Sequence, residues 1–198
     1  DSGGVAAPLI EQRLIFSRPG DKREVLDRIL EVEDVGAALV FSRTKAGCAE
    51  LAEWMERRGH PAAAIHGDLS QALRERVLRR FRSGAVKLLV ATDVAARGLD
   101  IDHVTHVINF QPPMDPDSYV HRIGRTGRAG RTGVAITLAA SNDRRFVNQI
   151  ERRLKDRKIP SRLVDEVRVT DRQTLTCVQE AVGATRARFE QMLSMGSA

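Results

Sequence analysis

The sequence has only two cysteines, Cys48 and Cys177, and each lies within a helical pattern. Two cysteines cannot form the disulfide framework of a small secreted domain, so we expect a reducing, cytoplasmic setting. No apolar run approaches the roughly 20 residues of a membrane-spanning helix, and the N-terminal residues do not resemble a signal peptide. We therefore expect a soluble protein without membrane contact. The sequence also has no cluster of residues at metal-ligand spacing, so we assign no metal ligand to it.

Positive charge and core-forming residues are abundant. The chain has 198 residues, and its 42% hydrophobic content suffices for one globular domain, or for one domain with an appendage. The 32 lysines and arginines exceed the 26 acidic residues and give a net charge of +6. This charge is compatible with a polyanionic partner such as a nucleic acid, although many soluble proteins are mildly basic without binding one.

Patterns typical of helices and strands alternate along the chain. Asp21 and Glu24 have the spacing of a capping box for a first helix that ends near Val32. Thr44 and Ser70 are favourable N-caps of two further helices. Short apolar runs predict strands at residues 37–41, 62–65, 86–92, 104–110 and 133–138.

Two more helices and a first extended segment complete the pattern. Asp115 followed by Pro116 predicts a helix start, and Asn142 is placed to cap a later helix. Ile10 to Ser17 reads as an extended segment, which we interpret as the tail of an interdomain linker. Alternating strands and helices with short links predict an α/β fold, in which helices cover both faces of a mostly parallel sheet.

Polar clusters follow four of the predicted strands. They are Ser42-Arg43-Thr44, His66-Gly67-Asp68, Thr92-Asp93 and Gln111-Pro112. The carboxyl ends of parallel strands share one edge of the sheet, and ligands of such folds bind beyond that edge. We therefore expect these clusters to lie along one ligand-binding rim.

The most unusual composition lies in Tyr119 to Gly133, where arginines alternate with glycines behind His121. Guanidinium groups bind phosphate oxygens through paired N–H donors, and glycine lets the backbone approach a ligand closely. A triphosphate fits this composition. For such a run in isolation, a solvated surface loop is the alternative.

A second segment with ligand-binding chemistry is Thr92 to Asp100, which follows a predicted strand. The Thr92 hydroxyl and Arg97 suit phosphate oxygens, Gly98 permits close backbone approach, and Asp100 can accept hydrogen bonds from ribose hydroxyls. The alternative is a strand-end turn closed by an internal Arg–Asp pair.

Together these segments resemble the second RecA-like domain of DEAD-box RNA helicases, over about Ile10 to Leu138. The similar segments are Phe41 to Thr44 (motif IV), Gln71 with Arg74 (the glutamine–arginine motif), Thr92 to Asp100 (motif V) and His121 to Arg128 (motif VI). The histidine that begins motif VI resembles the DEAD-box group, whereas DEAH and RecQ-type helicases usually have glutamine there. The resemblance thus implies a RecA-like three-layer sandwich and favours RNA over DNA as the substrate.

The resemblance implies a role in nucleotide chemistry for four residues. Arg125 and Arg128 are the implied catalytic residues, acting as arginine fingers on the γ-phosphate of ATP. Gly98 is implied to contact the nucleotide through its backbone, and Asp100 to contact the ribose. In the family, ATP and Mg²⁺ are bound mainly by the N-terminal RecA-like domain, which is the implied partner of this one.

The resemblance also implies residues that couple the two domains and residues that contact RNA. His121 and Arg122 would couple the ATP cleft to the motifs of the first domain. The implied RNA contacts are Arg74, Thr92, Arg97, Gly67 and Arg43. These would hold the sugar-phosphate backbone, so RNA binding is expected to depend on salt and to be independent of sequence.

The sequence contains neither a Gly-x-x-x-x-Gly-Lys-Ser/Thr loop nor an Asp-Glu-Ala-Asp run. In the family these belong to the first RecA-like domain. The resemblance therefore implies an ATP-dependent RNA helicase as the full-length protein and an inactive fragment here. Two alternatives stay open: a module that binds RNA or protein without an ATPase role, and half of a DNA-directed superfamily 2 helicase.

The expected domain boundaries follow from these patterns. Residues 1–9 are expected to be a linker or disordered lead-in, residues 10–160 the RecA-like domain, and residues 161–198 a helical C-terminal extension. Apolar residues at three-four spacing within 170–195 are compatible with a dimer contact, but packing back onto the domain is the simpler expectation.

Overall fold

The computed structural model of the chain describes residues 10–128, 130–156 and 163–168. One sheet contains the parallel strands β1 (Ile10–Phe16), β2 (Ala38–Phe41), β3 (Ala62–Ile65), β4 (Leu88–Ala91), β5 (His106–Asn109), β6 (Gly133–Ala139) and β7 (Leu163–Arg168). They lie side by side in the order β3, β4, β2, β5, β6, β1, β7. The parallel α/β sheet predicted from the sequence is confirmed.

Helices cover both faces of this sheet. They are α1 (Lys22–Val32), α2 (Lys45–Arg57), α3 (Gln71–Arg82), α4 (Asp93–Ala96), α5 (Pro116–Ile123) and α6 (Arg144–Asp156). Successive strand residues point to opposite faces, so Val40 packs with α1 and α2, whereas Leu39 packs with α3. In β6, Ile136 packs on the α1 side and Ala135 packs with α5 and α6. The three-layer arrangement is therefore also confirmed. None of the described helices is long and apolar enough to cross a membrane.

Three of the predicted helix caps are present. The Thr44 hydroxyl accepts a hydrogen bond from the Gly47 amide at 3.0 Å, and the Ser70 hydroxyl accepts one from the Leu73 amide at 3.3 Å. The Asp115 carboxylate accepts from the amide of Ser118 at 2.8 Å. These bonds satisfy amide groups that have no partner within the first turn of a helix.

The capping box predicted at Asp21 is wrong. A 3₁₀ turn over Pro19–Asp21 precedes α1, and Asp21 has φ −95° and ψ −5° rather than the extended angles of a capping residue. Its side chain makes no capping hydrogen bond. The predicted cap at Asn142 is wrong too, because a second 3₁₀ turn precedes α6 and the Asp143 carboxylate accepts the Ala140 amide at 2.9 Å.

The first strand is an interior strand rather than the tail of a linker. β1 pairs with β6 on one side and with β7 on the other. Its buried polar residues are therefore paired internally, and the Arg13 guanidinium donates to the carboxylates of Glu11 and Glu33. Buried polar side chains are tolerated when they have hydrogen-bond partners, which is why a polar sequence such as Glu11-Gln12-Arg13 can lie inside the sheet.

The seventh strand corrects the predicted domain boundary. β7 pairs with β1, so the sheet extends past residue 160, and residues 163–168 are extended rather than helical. The strand has the sequence Leu-Val-Asp-Glu-Val-Arg, whose alternation is too short to be separated from loop by pattern alone. The lead-in predicted at residues 1–9 and the dimer contact at residues 170–195 lie outside the described residues.

Candidate functional site

The loop after β4 begins with a helix that the sequence pattern did not predict. α4 spans only four residues, and the Thr92 hydroxyl caps it by accepting from the Ala95 amide at 3.3 Å. Beyond α4, Gly98 has φ +71°, a left-handed conformation that strongly favours glycine. Leu99 and Ile101 are buried on either side of the exposed Asp100. The loop is thus anchored by apolar side chains and presents Asp100 to solvent.

Arg122 is the structural centre of this region. Its guanidinium is buried and donates to both carboxylate oxygens of Asp93, at 2.6 and 2.7 Å. It also donates to the Asn109 side chain at 3.0 Å and to the Gln111 carbonyl at 3.1 Å, and it lies 4.8 Å from the centre of the Phe41 ring. Arg122 therefore ties α5 to the carboxyl ends of β2, β4 and β5.

An open cavity of about 330 Å³ lies between α4 and α5. Its lining residues are Phe41, Asp93, Ala96, Arg97, Ser118, His121, Arg122 and Arg125. Both sequence segments that were predicted to bind phosphate therefore contribute to one surface. Because three of the lining residues are arginines and only one is acidic, this surface favours an anionic ligand.

Arg125 contributes a positive charge to this cavity that is partly shielded from solvent. Burial lowers the pKa of its guanidinium, and the neighbouring Arg128 lowers that pKa further. A guanidinium remains a cation at neutral pH under these conditions. Among the described residues, no acceptor forms a hydrogen bond or ion pair with this side chain. Arg125 is thus a half-buried, unneutralised cation at the cavity wall.

Arg128, the other predicted finger, has a different environment. Its side chain is exposed, Nε donates to the Gly124 carbonyl at 3.0 Å, and Nη1 lies 3.9 Å from the Asp102 carboxylate. It does not line the cavity. The structure therefore brings Arg125, His121 and Arg97 together at the cavity, whereas Arg128 lies outside the cavity lining.

The loop that carries Arg125 and Arg128 is fixed from beneath by Thr126. The buried Thr126 hydroxyl donates to the Val104 carbonyl at 2.7 Å. Gly133 packs against it so closely that a Cβ there would lie 2.5 Å from the Thr126 hydroxyl oxygen and 2.6 Å from the Gly127 amide. Glycine at 133 is therefore required by close approach.

The predicted RNA contacts lie at the ends of neighbouring strands and on α3. Arg74 lies in the first turn of α3, and its Nη2 donates to the Ala95 carbonyl at 2.7 Å. Arg97 is exposed and lines the cavity. Thr92 uses one hydroxyl lone pair to cap α4, which leaves its proton available to a phosphate oxygen. These three residues cluster around α4.

Arg43 and Gly67 lie at the ends of other strands. Arg43 follows β2 and turns toward α6, donating to the Pro112 carbonyl at 3.2 Å and lying 6.0 Å from the centre of the Phe146 ring. Gly67 follows β3 and is exposed beside the Lys45 side chain. Neither residue lines the cavity. Five predicted RNA contacts thus share one edge of the sheet but do not form one compact cluster.

Comparison with known proteins decides the family. The model of the helicase conserved C-terminal domain matches residues 21–130, more than half of the chain. The isolated C-terminal domain of the DEAD-box protein Dbp5 has 31% sequence identity and a TM-score of 0.74, over 88% of this chain and 99% of that one. This chain belongs to the DEAD-box helicases, as their C-terminal RecA-like domain.

Relatives of this helicase domain are longer than the chain itself. The DEAD-box ATP-dependent RNA helicase CshA of Geobacillus kaustophilus is 52% identical over 151 residues, which are 76% of this chain and 32% of that protein. The chain thus spans about a third of the length of the curated relatives it matches. Dbp5 of S. cerevisiae bound to RNA and ADP BeF3 has 30% identity and a TM-score of 0.70, over 89% of this chain and 46% of that one.

Several contacts that shape the site of this helicase domain were not predicted. Asp93 and Asn109 hold Arg122, Asp102 lies beside Arg128, and Arg82 of α3 donates to the Asp100 carbonyl at 2.9 Å. The position of Asp93 at the ligand-binding rim was predicted from the strand before it, but its pairing with Arg122 was not. The arginine–carbonyl contact has no sequence signal, because a carbonyl acceptor is present at every residue.

Proposed function

We propose that this domain supplies arginine fingers to an ATPase site whose other wall is the N-terminal RecA-like domain of the same protein. The observation that carries the proposal is Arg125, a half-buried guanidinium that faces an open cavity and has no acceptor partner among the described residues. A preorganised cation of this kind stabilises negative charge that develops on a transferring phosphoryl group. The relatives named as ATP-dependent RNA helicases support the same reading.

Arg128 would act as the second arginine finger, beside Arg125, once it leaves its present hydrogen-bond partner. In the present conformation its guanidinium is bound to the Gly124 carbonyl and lies near Asp102. Both contacts are exposed to solvent and therefore weak. A triphosphate offers several charged oxygens, so we expect it to bind Arg128 more strongly than they do. We propose that Arg128 leaves Gly124 when the first domain brings ATP to this surface.

The remaining nucleotide contacts would come from the loop after α4. Asp100 is exposed and can accept hydrogen bonds from ribose hydroxyls, while the left-handed backbone at Gly98 leaves room for close approach. The described residues contain no group of three or more His, Cys, Asp or Glu side chains that could hold a metal ion. We assign Mg²⁺ and most of the ATP contacts to the other domain.

Coupling between the domains would pass through His121. This residue is exposed and lines the cavity, so it can reach a second domain. Arg122 cannot do so directly, because its guanidinium is buried and occupied by Asp93, Asn109 and Gln111. Its part in coupling would be to fix the position of α5 relative to the loop after β4.

RNA would lie along the carboxyl edge of the sheet. Arg74, Thr92 and Arg97 surround α4 and present two guanidinium groups and a hydroxyl to the sugar-phosphate backbone. Arg43 and Gly67 would extend this path across the ends of β2 and β3. The structure of Dbp5 bound to RNA and ADP BeF3 supports RNA binding by the full-length protein.

The full-length protein is expected to separate a short RNA duplex in an ATP-dependent manner and to leave a DNA duplex of the same sequence paired. Strand separation of matched RNA and DNA duplexes, each with and without ATP, is the measurement.

The predicted RNA surface can be tested separately through Arg97. Arg97→Gln should reduce the slope of log affinity against log salt for single-stranded RNA by about 0.7, the contribution of one phosphate contact.

Each alternative function predicts a different outcome of the strand-separation experiment. Equal separation of the DNA duplex would favour the DNA-directed helicase. RNA binding without ATP-dependent strand separation would favour a binding module that takes no part in hydrolysis. Either result would overturn the proposed function.

A further inference from the structure

Helix α3 holds both ends of the loop that carries the predicted ribose contact. At its start, Arg74 donates to the Ala95 carbonyl at 2.7 Å, and at its end, Arg82 donates to the Asp100 carbonyl at 2.9 Å. Between these two carbonyls lies the turn with Arg97 and Gly98. One rigid helix therefore contacts the loop before and after its most exposed residues.

The remainder of the loop leaves the Asp100 peptide with few other constraints. Leu99 and Ile101 are buried in the core beneath α3 and fix the chain on either side of Asp100. Apolar packing is non-directional, so these contacts set the depth of the backbone but not the rotation of the peptide between them. The hydrogen bond from Arg82 is directional, and it fixes the direction in which the Asp100 carbonyl points.

The position of the Asp100 backbone determines where its side chain lies. The carbonyl carbon and Cβ are both bonded to the Asp100 Cα, so a shift of this backbone away from Arg82 also moves the carboxylate. A carboxylate must lie within about 3 Å of a hydroxyl to accept its hydrogen bond. A small shift would therefore take the Asp100 carboxylate out of reach of a ribose.

Among the described residues, Arg74 and Arg82 are the arginines of α3 that donate to this loop. Arg79 is exposed on the same helix, and within the described residues its guanidinium forms no hydrogen bond or ion pair. Glu75, the acidic residue of α3, accepts instead from Gln71 at 3.0 Å. The contact of Arg82 with Asp100 is thus specific to its position and is not a general property of this basic helix.

We propose that Arg82 is a positioning residue for ribose recognition, acting through the Asp100 carbonyl. This inference rests on the proposed function, in which Asp100 accepts hydrogen bonds from the ribose of ATP. It also links the predicted RNA surface to the ribose loop, because α3 carries the predicted RNA contact Arg74 at one end and Arg82 at the other. A shift of α3 on RNA binding would move both ends of the ribose loop.

The test uses RNA-stimulated ATP turnover by the full-length protein with ATP, 2′-deoxy-ATP and 3′-deoxy-ATP. Arg82→Gln is expected to raise KM for ATP by about five-fold, the effect of one lost hydrogen bond, while kcat changes little. With the deoxy analogue that lacks the hydroxyl bound by Asp100, wild type and Arg82→Gln should have equal KM. The glutamine amide is too short to replace this bond, whereas Arg82→Lys keeps a donor on a longer side chain and should recover part of the difference.

Arg79→Gln is the matched control, since it removes the same charge from the same helix without touching the loop. Its KM for all three nucleotides should equal the wild-type value. A KM increase in Arg82→Gln that is the same for ATP and both deoxy analogues would overturn the inference, because it would show a general loss of loop structure. An unchanged KM for ATP would overturn it as well.

Asp100→Ala, which removes the acceptor, separates a failure of this inference from a failure of the proposed function. If Asp100→Ala loses the preference for ATP over the deoxy analogue and Arg82→Gln keeps it, Asp100 binds ribose and Arg82 does not position it. If Asp100→Ala keeps the wild-type preference, the ribose role of Asp100 is wrong, and so is the inference.

Discussion

Replacement of Arg125 by alanine in the full-length protein is expected to reduce RNA-stimulated ATP turnover by about 10³-fold or more, the range for arginines that stabilise a transferring phosphoryl group. The reason is local. Arg125 faces the cavity as a half-buried cation without a partner among the described residues, so its charge is available to the γ-phosphate. The fold should be unaffected, because within the described residues this side chain forms no hydrogen bond or ion pair that holds the loop.

Several variants distinguish this role from a general effect of charge. Arg125→Lys retains the cation but loses the planar pair of donors, so it should recover only a small part of the rate. Arg128→Ala should also abolish or strongly reduce turnover. If both arginines act on the same charge, the double variant should be little worse than either single variant.

Arg131→Ala is the matched control for both fingers. Arg131 is exposed in the same arginine–glycine stretch and does not line the cavity. Its replacement should leave turnover near the wild-type value. Wild-type turnover in Arg125→Ala, or an equal loss in Arg131→Ala, would show that the assigned role of Arg125 is wrong.

Replacement of Arg122 by glutamine is expected to have the largest effect on stability. The change removes a buried guanidinium that bonds Asp93, Asn109 and the Gln111 carbonyl, and it leaves those acceptors without their donor. The Asp93 carboxylate is partly exposed and can be hydrated, but the buried Asn109 acceptor cannot, and losing this set of bonds costs about 3 kcal/mol. For a chain of this size the corresponding decrease in the melting temperature is about 10 °C.

Thermal unfolding of the 198-residue chain measures this effect directly. Arg122→Lys should not restore stability, because one ammonium group cannot replace two parallel bonds to Asp93 and further bonds to Asn109 and Gln111. Arg97→Gln is the control, since Arg97 lines the same cavity but is exposed. A melting temperature for Arg122→Gln within a degree or two of that for Arg97→Gln would contradict the structural role of Arg122.

The sequence predicted the framework of this domain because the framework depends on local patterns. Unbroken apolar runs such as Leu39 to Phe41 identified buried parallel strands, and Thr44 and Ser70 identified helix starts. The carboxyl ends of parallel strands necessarily share an edge. The meeting of the Thr92 to Asp100 loop with the His121 to Arg125 segment followed from that rule and is what the cavity shows.

The details of the site depend on contacts between distant residues, and these leave no local pattern. α4 has four residues, fewer than the number needed to show a helical repeat. Arg122 and Arg125 are the same residue type three positions apart, yet one is buried against Asp93 and the other faces the cavity. Only the packing of α5 separates a structural arginine from one that is free to bind phosphate.

We propose above all that this chain holds one wall of a composite ATPase site. The most direct test is ATP hydrolysis by the purified 198-residue chain, with and without single-stranded RNA, beside the full-length protein under the same conditions. We expect RNA-stimulated turnover by the full-length protein and none above the uncatalysed background by the isolated chain. RNA-stimulated ATP hydrolysis by the isolated chain would contradict the claim.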